Sequence, residues 1–222
     1  MTTVPVIAID GPSASGKGTV AQRVAARLGF HYLDSGALYR VVTFGALQQR
    51  MALDDESALA RLAASLDARF LGEKIFLNQE DVTDSIRSEA VSAQASEVAA
   101  LPAVRSALLL RQRAFRQAPG LVADGRDMGS VVFPDAVLKI YLTADAGERA
   151  RRRYKQLKEK GMDASMTLLL RDIRQRDARD SARAVAPLRK SDDASLLDTT
   201  TLTIDAAVEE VLARYAAQKR VP

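Results

Sequence analysis

Residues 11–19, Gly-Pro-Ser-Ala-Ser-Gly-Lys-Gly-Thr, combine types and spacing that suit a chain of phosphates. Glycines at both ends, Gly11 and Gly16, let the backbone curl until successive amide N–H groups converge, and Lys17 adds a point charge for the outer phosphates. The apolar run Val6-Ile7-Ala8-Ile9 lies directly ahead, and Val20, Val24 and Leu28 recur every fourth residue behind. The loop therefore joins a buried strand to a helix whose positive N-terminal end faces the same nest. Gly11, Ser13, Ala14, Ser15, Gly16, Lys17, Gly18 and Thr19 are expected to hold nucleotide phosphates, with the Lys17 ammonium packed against little else. A hydroxyl directly after such a lysine serves a magnesium shell. Here that position is Gly18 and the hydroxyl belongs to Thr19, so no side chain is assigned as a direct metal ligand. The plainer reading, a Gly/Ser-rich turn, fails to account for the lysine and the strand-loop-helix context together.

Three further constellations carry charge at element ends. Asp34-Ser35-Gly36-Ala37-Leu38-Tyr39-Arg40 follows a short apolar segment and opens a helix. Spacing alone leaves Arg40 equally open to a phosphate contact or to solvent, with Ser35 as an N-cap. Asp124-Gly125-Arg126-Asp127 follows Leu121-Val122-Ala123. An aspartate ending a buried strand beside a phosphate loop organises magnesium and its waters, and Arg126 offers a two-pronged fork for a phosphate. The third is arginine-rich: Glu148-Arg149-Ala150-Arg151-Arg152-Arg153, then Arg171 to Arg183. On a helix Arg176, Asp180 and Arg183 share one face and could grip a phosphorylated sugar. Interleaved Asp172, Asp177 and Asp180 equally allow a solvated face laced with ion pairs. Phosphoryl transfer nonetheless demands cations that arrive over spreading negative charge and exclude water, which a basic lid supplies.

The elements that position these groups alternate in type. Val6–Ile9, His31–Leu33, Leu121–Ala123, Ala136–Leu142 and Leu202–Ile204 read as strands. The helices between them imply an α/β fold of the P-loop NTPase kind, a doubly wound parallel five-stranded sheet. Residues 66–82 switch to short alternating segments, LDARFL and KIFLN, split by Gly72-Glu73 and closed by a polar turn at Gln79-Glu80-Asp81, so a small antiparallel insertion is expected. Ser85–Ala100 and Pro102–Phe115 read as helices, Glu148–Ala186 as a helical lid broken near Gly161 and stopped by Pro187, and Ala206–Lys219 as a closing helix. The whole chain, 1–222, is expected to form one domain. Its core is 1–65, 101–147 and 187–222, its acceptor-binding insertion 66–100 and its lid 148–186.

Composition bounds the chemistry. The chain has 222 residues, no cysteine and one histidine, which excludes disulfides, thiolate metal sites and histidine clusters. His31, at a strand start, is assigned no chemistry. The apolar run at Val4–Ile9 is too short to span a bilayer and no basic segment precedes a long apolar one, so a cytoplasmic protein with no membrane partner is expected. The net charge of +4 would serve nucleic acid or a small polyphosphate alike.

Four segments, GPSASGKGT, LDSGALYR, VADGRDMGSVVFPDA and RDARDSARAVAPL, in this order resemble the bacterial cytidylate kinases, and the likeness covers nearly the whole chain. The resemblance implies transfer of the γ-phosphoryl of ATP to CMP or dCMP, with magnesium, in the cytoplasm. It implies that residues 13–19 hold ATP and that Arg40 and Arg126 hold the acceptor phosphate. Ser35, Arg105 and Asp127 then lie near the cytosine, Ser96, Arg176 and Asp180 attend the sugar, and Arg183 sits near base or phosphate. Lys17, Asp124, Arg126, Arg152 and Arg153 become the catalytic set. In the run 151–153 the correspondence permits a slip by one, and Ala14 departs from a glycine frequent in this loop.

Two alternatives stay open at this point. A kinase of another small acceptor would share the loop and lid. A nucleotide-sensing RNA-binding module would share the charge, although 5% aromatic content and no tryptophan give it no base-stacking platform. The leading reading has no nucleic-acid partner and acts as a monomer.

Overall fold

The computed structural model describes residues 3–72, 74–159 and 161–218; Glu73 of the expected turn and Lys219 of the expected closing helix lie outside them. In chain order the elements are β1 (Val6–Asp10), α1 (Lys17–Leu28), β2 (His31–Asp34), α2 (Ser35–Gln48), α3 (Glu56–Ser65), β3 (Ala68–Leu71), β4 (Lys74–Leu77) and β5 (Glu80–Asp81). They continue with α4 (Glu89–Val98), α5 (Pro102–Ala114), β6 (Leu121–Gly125), β7 (Leu138–Thr143), α6 (Ala146–Glu159), α7 (Met166–Ser181), β8 (Ser195–Asp198) and α8 (Ile204–Gln218). The chain divides into two compact units, Met1–Leu33 with Phe115–Pro222, and Asp34–Ala114. The second unit is wider than the 66–100 insertion expected from sequence, since it takes in α2, α3 and α5 as well as the small sheet.

The larger unit is built on a five-stranded parallel sheet in the order β2-β6-β1-β7-β8. β1 is central because both of its edges are paired, Val6–Asp10 with Leu121–Gly125 on one side and Ile7–Asp10 with Leu138–Tyr141 on the other. Its first four residues are buried without alternation, as a parallel strand covered on both faces requires. Val20 and Val24 of α1 and Val208, Val211 and Tyr215 of α8 pack with Ile7, Ile9, Ile140 and Leu142 in one apolar cluster. With β1 central, the loop at its carboxyl end falls where open parallel sheets bind ligands.

The fifth strand corrects the sequence reading. It is Ser195–Asp198, paired parallel to Ile140–Thr143, and not Leu202–Ile204. Only Leu197 of this edge strand is buried, so its apolar signal is faint. Thr203 instead uses its hydroxyl to accept from the Ala206 amide (3.2 Å) at the head of α8.

The smaller unit holds the antiparallel sheet β3-β4-β5. The turn between β4 and β5 is Asn78-Gln79, both at positive φ (49° and 71°), the backbone of a two-residue hairpin turn. Glu80-Asp81, expected in that turn, form the third strand. The helix expected over 85–100 is interrupted: Ser85–Arg87 make one tight 3₁₀ turn, and α4 starts afresh behind Ser88, whose side chain caps it. α6 and α7 match the expected lid helices, with a break at 161–165.

Candidate active site

The loop between β1 and α1 is tied back by its carbonyl groups. The Ser13 carbonyl accepts from Nη1 of Arg149 (3.1 Å), and the Ser15 carbonyl accepts from Nη1 of Arg152 (3.0 Å) and Oγ1 of Thr199 (3.2 Å). In a trans peptide the N–H points opposite to the C=O, so these ties turn the Ala14 and Gly16 amides to the other side of the loop. Gly16 caps α1 at φ 90°, and Ala14 sits at φ 56°. The left-handed backbone costs a non-glycine residue about 1–2 kcal/mol, and the Ala14 methyl recovers part of this by packing against Ala150, Leu157, Leu169 and Ile173 of the lid. Ser13 Oγ is buried with no hydrogen-bond partner among the described residues. An orphaned hydroxyl in a loop whose Ala14 and Gly16 amides are turned away from those ties fits a polyphosphate.

Lys17 differs from expectation. It is buried, and its Nζ donates to the Pro12 carbonyl (3.2 Å), which also accepts from Ser15 Oγ (3.0 Å). Gly11 is fixed by proximity: a Cβ there would stand 1.9 Å from the Leu142 carbonyl oxygen. Gly11→Ala is therefore expected to push the loop off β7, destabilising the protein by about 1–3 kcal/mol as overpacking does and abolishing nucleotide binding. Urea unfolding and ATP titration check this, and a wild-type affinity in the variant would show that the approach is not needed.

Asp124, next to last in β6, is buried and accepts from Tyr32 Oη on Oδ2 (2.6 Å). A Cβ on Gly18 would lie 3.3 Å from the same oxygen. Glycine after the lysine thus leaves room for the Tyr32–Asp124 pair, a reason for its departure from the usual hydroxyl. Asp127 is also buried, and its carbonyl accepts from the Val131 (2.9 Å) and Val132 (3.2 Å) amides of a wide turn. Asp10 fastens the start of that turn, accepting from the Met128 (2.7 Å) and Gly129 (2.8 Å) amides. Burial pushes the Asp10 carboxyl up to about 7 against the pull of those amides.

Arg126 donates through Nε to Asp180 (2.7 Å), and Arg183 donates to the other oxygen of the same carboxylate. Burial pushes the Asp180 carboxyl up, but Arg126 and Arg183 outweigh it and hold it below the usual range. Burial likewise pulls Arg126 down while Asp180 raises it to a net increase. Arg176 stands one turn before Asp180 on α7. Among the lid arginines, Arg149 grips Asp177 with both prongs (3.0 and 2.5 Å), and Arg152 reaches Glu148 (3.2 Å) as well as Thr199. Arg152, expected in the catalytic set, here braces the back of the loop, while Arg153 touches Gln156 (3.4 Å).

In the smaller unit Asp34, not Ser35, caps α2, accepting from the Ala37 amide (2.9 Å), and its second oxygen takes Nη2 of Arg40 (2.6 Å). Nε of Arg40 is buried without a partner among the described residues, a donor suited to an anion. Ser35 is the first residue of α2 and donates to Gln112 (2.8 Å). Arg105, buried, stacks 5.8 Å from the centre of the Tyr39 ring and donates to the Ala99 carbonyl (3.0 Å). Ser96 lies on α4. His31 meets the Ala118 carbonyl (3.0 Å), a structural place.

Four site residues escaped the sequence reading, and Arg149 was read only as one of the arginine run at 148–153. Asp10 left a signal, a charge ending an apolar run directly before Gly11. Gln112 left another, a polar residue in step with Arg105 and Leu108 on the inner face of α5. Tyr32, Arg149 and Thr199 left none that separates them from their neighbours.

A family model described as cytidylate kinase matches residues 7–217. The cytidylate kinase of Pseudomonas paraeruginosa is 62% identical over 215 residues, 94% of each chain, and that of Chromobacterium violaceum 63% identical over 210 residues, 95% of each. A crystal structure of a gluconokinase from Sinorhizobium meliloti, at 15% identity and a TM-score of 0.50 over 98% of this chain and 94% of that one, shares the fold alone. Matched along nearly its whole length, this chain belongs to the cytidylate kinase family.

Proposed function

We propose that the chain phosphorylates CMP and dCMP with the γ-phosphoryl group of ATP, acting in the cytoplasm as a monomer. The observation that carries this reading is the phosphate loop whose carbonyls are tied outward and whose Ser13 hydroxyl has no partner among the described residues, in a chain of this family. The amides of residues 13–19 hold the ATP phosphates, and Lys17 follows the charge that moves to the leaving oxygen. Magnesium, when bound with the nucleotide, neutralises developing phosphate charge; buried Asp124 and the Thr19 hydroxyl suit its water shell. Arg126 takes the acceptor phosphate with Asp180 holding its guanidinium in place, Arg176 and Arg183 extend that face, and Asp127 faces the base. From the smaller unit Arg40 supplies a phosphate donor, Ser35 and Arg105 meet the base and Ser96 the sugar. Arg153 is the lid cation that follows the transferring group, and Arg152 keeps the loop in shape. No described helix is long and apolar enough to cross a membrane. The RNA-binding alternative draws no support from the family match.

Release of ADP with a panel of acceptors tests the reading: CMP and dCMP should far exceed UMP, AMP and GMP, and equal rates with another acceptor would overturn it. Asp127→Asn sharpens the test. A carboxylate accepts from the cytosine amine and repels the uracil carbonyl, whereas an amide can turn to offer either group. The CMP:UMP ratio of kcat/KM is expected to fall by about 10–100-fold, and an unchanged ratio would take Asp127 away from the base.

A further inference from the structure

Ser35 and Gln112 make a closed pair in the smaller unit. Ser35 Oγ donates to Oε1 of Gln112 at 2.8 Å, and the two residues are 3% and 2% exposed. A hydroxyl carries one hydrogen and two lone pairs. Once the hydrogen is committed to Gln112, only lone pairs remain for any further partner. Turning the hydroxyl round to donate elsewhere would leave Oε1 of Gln112 buried without a donor, the costly way to break a hydrogen bond. Ser35 is therefore an acceptor, and Gln112 makes it one.

The placement supports a purpose beyond packing. Gln112 stands seven residues after Arg105, two turns along one face of α5, with Leu108 between them, and all three are buried. An apolar residue would fill this inner position of the helix at no polar cost. Arg105 and Gln112 thus present polar ends from an otherwise apolar face, and the first residue of α2 receives one of them.

We infer that Gln112 is a specificity-determining positioning residue, which holds the Ser35 hydroxyl proton so that the hydroxyl offers only a lone pair to the acceptor base. This rests on the proposed assignment of Ser35 to the base. An exocyclic amine, as on cytosine, donates to that lone pair. A carbonyl oxygen at the same ring position, as on uracil, meets it acceptor to acceptor. The sense of the Ser35–Gln112 hydrogen bond sets the sense of selection, because a glutamine turned end for end would free the Ser35 proton and favour the carbonyl.

The test measures kcat/KM for CMP and for UMP at saturating ATP, the KM for ATP, and thermal unfolding. The proteins are wild type, Gln112→Met, Gln112→Asn, Gln112→Glu, Ser35→Ala and the Ser35→Ala/Gln112→Met pair. Methionine removes the acceptor, and asparagine withdraws it by one methylene in a milder change that serves if methionine fails to fold. Either is expected to lower the CMP:UMP ratio about tenfold, chiefly through better use of UMP, with the KM for ATP unmoved. Glutamate, which has an oxygen at both terminal positions, is expected to keep the ratio within about twofold of wild type. In the Ser35→Ala background Gln112→Met should change nothing further. An equal loss for both acceptors in Gln112→Met and Gln112→Asn, a ratio lost in Gln112→Glu as well, or the same fall with and without Ser35 would each overturn the inference. A Ser35→Ala protein with a lowered ratio beside an inert Gln112→Met would overturn it while leaving Ser35 at the base. A Ser35→Ala protein with the wild-type ratio would instead remove Ser35 from the base and the inference with it.

Discussion

Lys17→Ala is expected to lower kcat by about a thousandfold, with the fold intact. In phosphoryl transfer the charge spreads over the equatorial and leaving oxygens as the bond breaks, and an ammonium aimed there stabilises the transition state more than the bound nucleotide. The loss should therefore fall on kcat rather than on the KM for ATP or CMP. Lys17 is buried and donates to the Pro12 carbonyl, so removal of its ammonium also breaks a contact within the loop. That carbonyl keeps the Ser15 hydroxyl as donor and is not left unsatisfied, so loss of this contact is expected to cost only about 1 kcal/mol of stability. Arginine should not rescue the activity, because its planar fork is larger than an ammonium and must enter the same tight space. Single-turnover rates and thermal unfolding check both halves. A rate within tenfold of wild type would assign the moving charge to another cation, with Arg126 next in order.

How far the sequence could be read depended on whether a residue's role was local. The phosphate loop was legible because glycine spacing, a lysine and a strand-helix context are all properties of neighbouring residues; β1 followed from an unbroken apolar run, α1 from its fourfold spacing, and the two lid helices from a charged stretch bounded by Gly161 and Pro187. The edge strand was not. Ser195–Asp198 buries one side chain, so it carries less apolar signal than Leu202-Thr203-Ile204, whose branched residues serve the turn and the first positions of α8. The interruption at Ser88 was hidden because serine is tolerated within a helix as well as before one. The long-range partners are the largest gap. Arg152 and Thr199 meet at Ser15 from 47 residues apart, and no pattern in either segment encodes that meeting. The same distance explains why the lid arginines read as a single group. Arg149 and Arg152 are held on loop carbonyls while Arg151 pairs with Glu148 at the surface, a division that depends on which side of α6 faces the loop.

Asp180→Asn is expected to destabilise the protein by about 3 kcal/mol, a fall in Tm of about 6–12 °C for a chain of this size. Asp180 is 2% exposed and its two oxygens are divided between Arg126 and Arg183, so the amide removes the carboxylate the two guanidiniums share and leaves Arg126 only the weaker pull of Asp124 and Asp177. Arg126 keeps some access to water, with 23% of its side chain exposed, so the loss falls at the lower end of the range for broken buried pairs. Activity should suffer in a directed way. Arg126 loses the partner that fixes its plane, so the KM for CMP should rise several-fold more than the KM for ATP. The pH dependence separates charge from shape. Asp180 has a folded pKa below its ordinary 3.8, so its contribution is complete above the ordinary value and is lost as pH falls through the folded one. The stability gap between wild type and Asp180→Asn should therefore be constant from neutral pH down to about 4 and close below it. A gap that stays open at pH 2 would mean that the carboxylate's shape, not its charge, holds the two arginines. A KM for ATP that rises as much as that for CMP would move this cluster to the donor nucleotide.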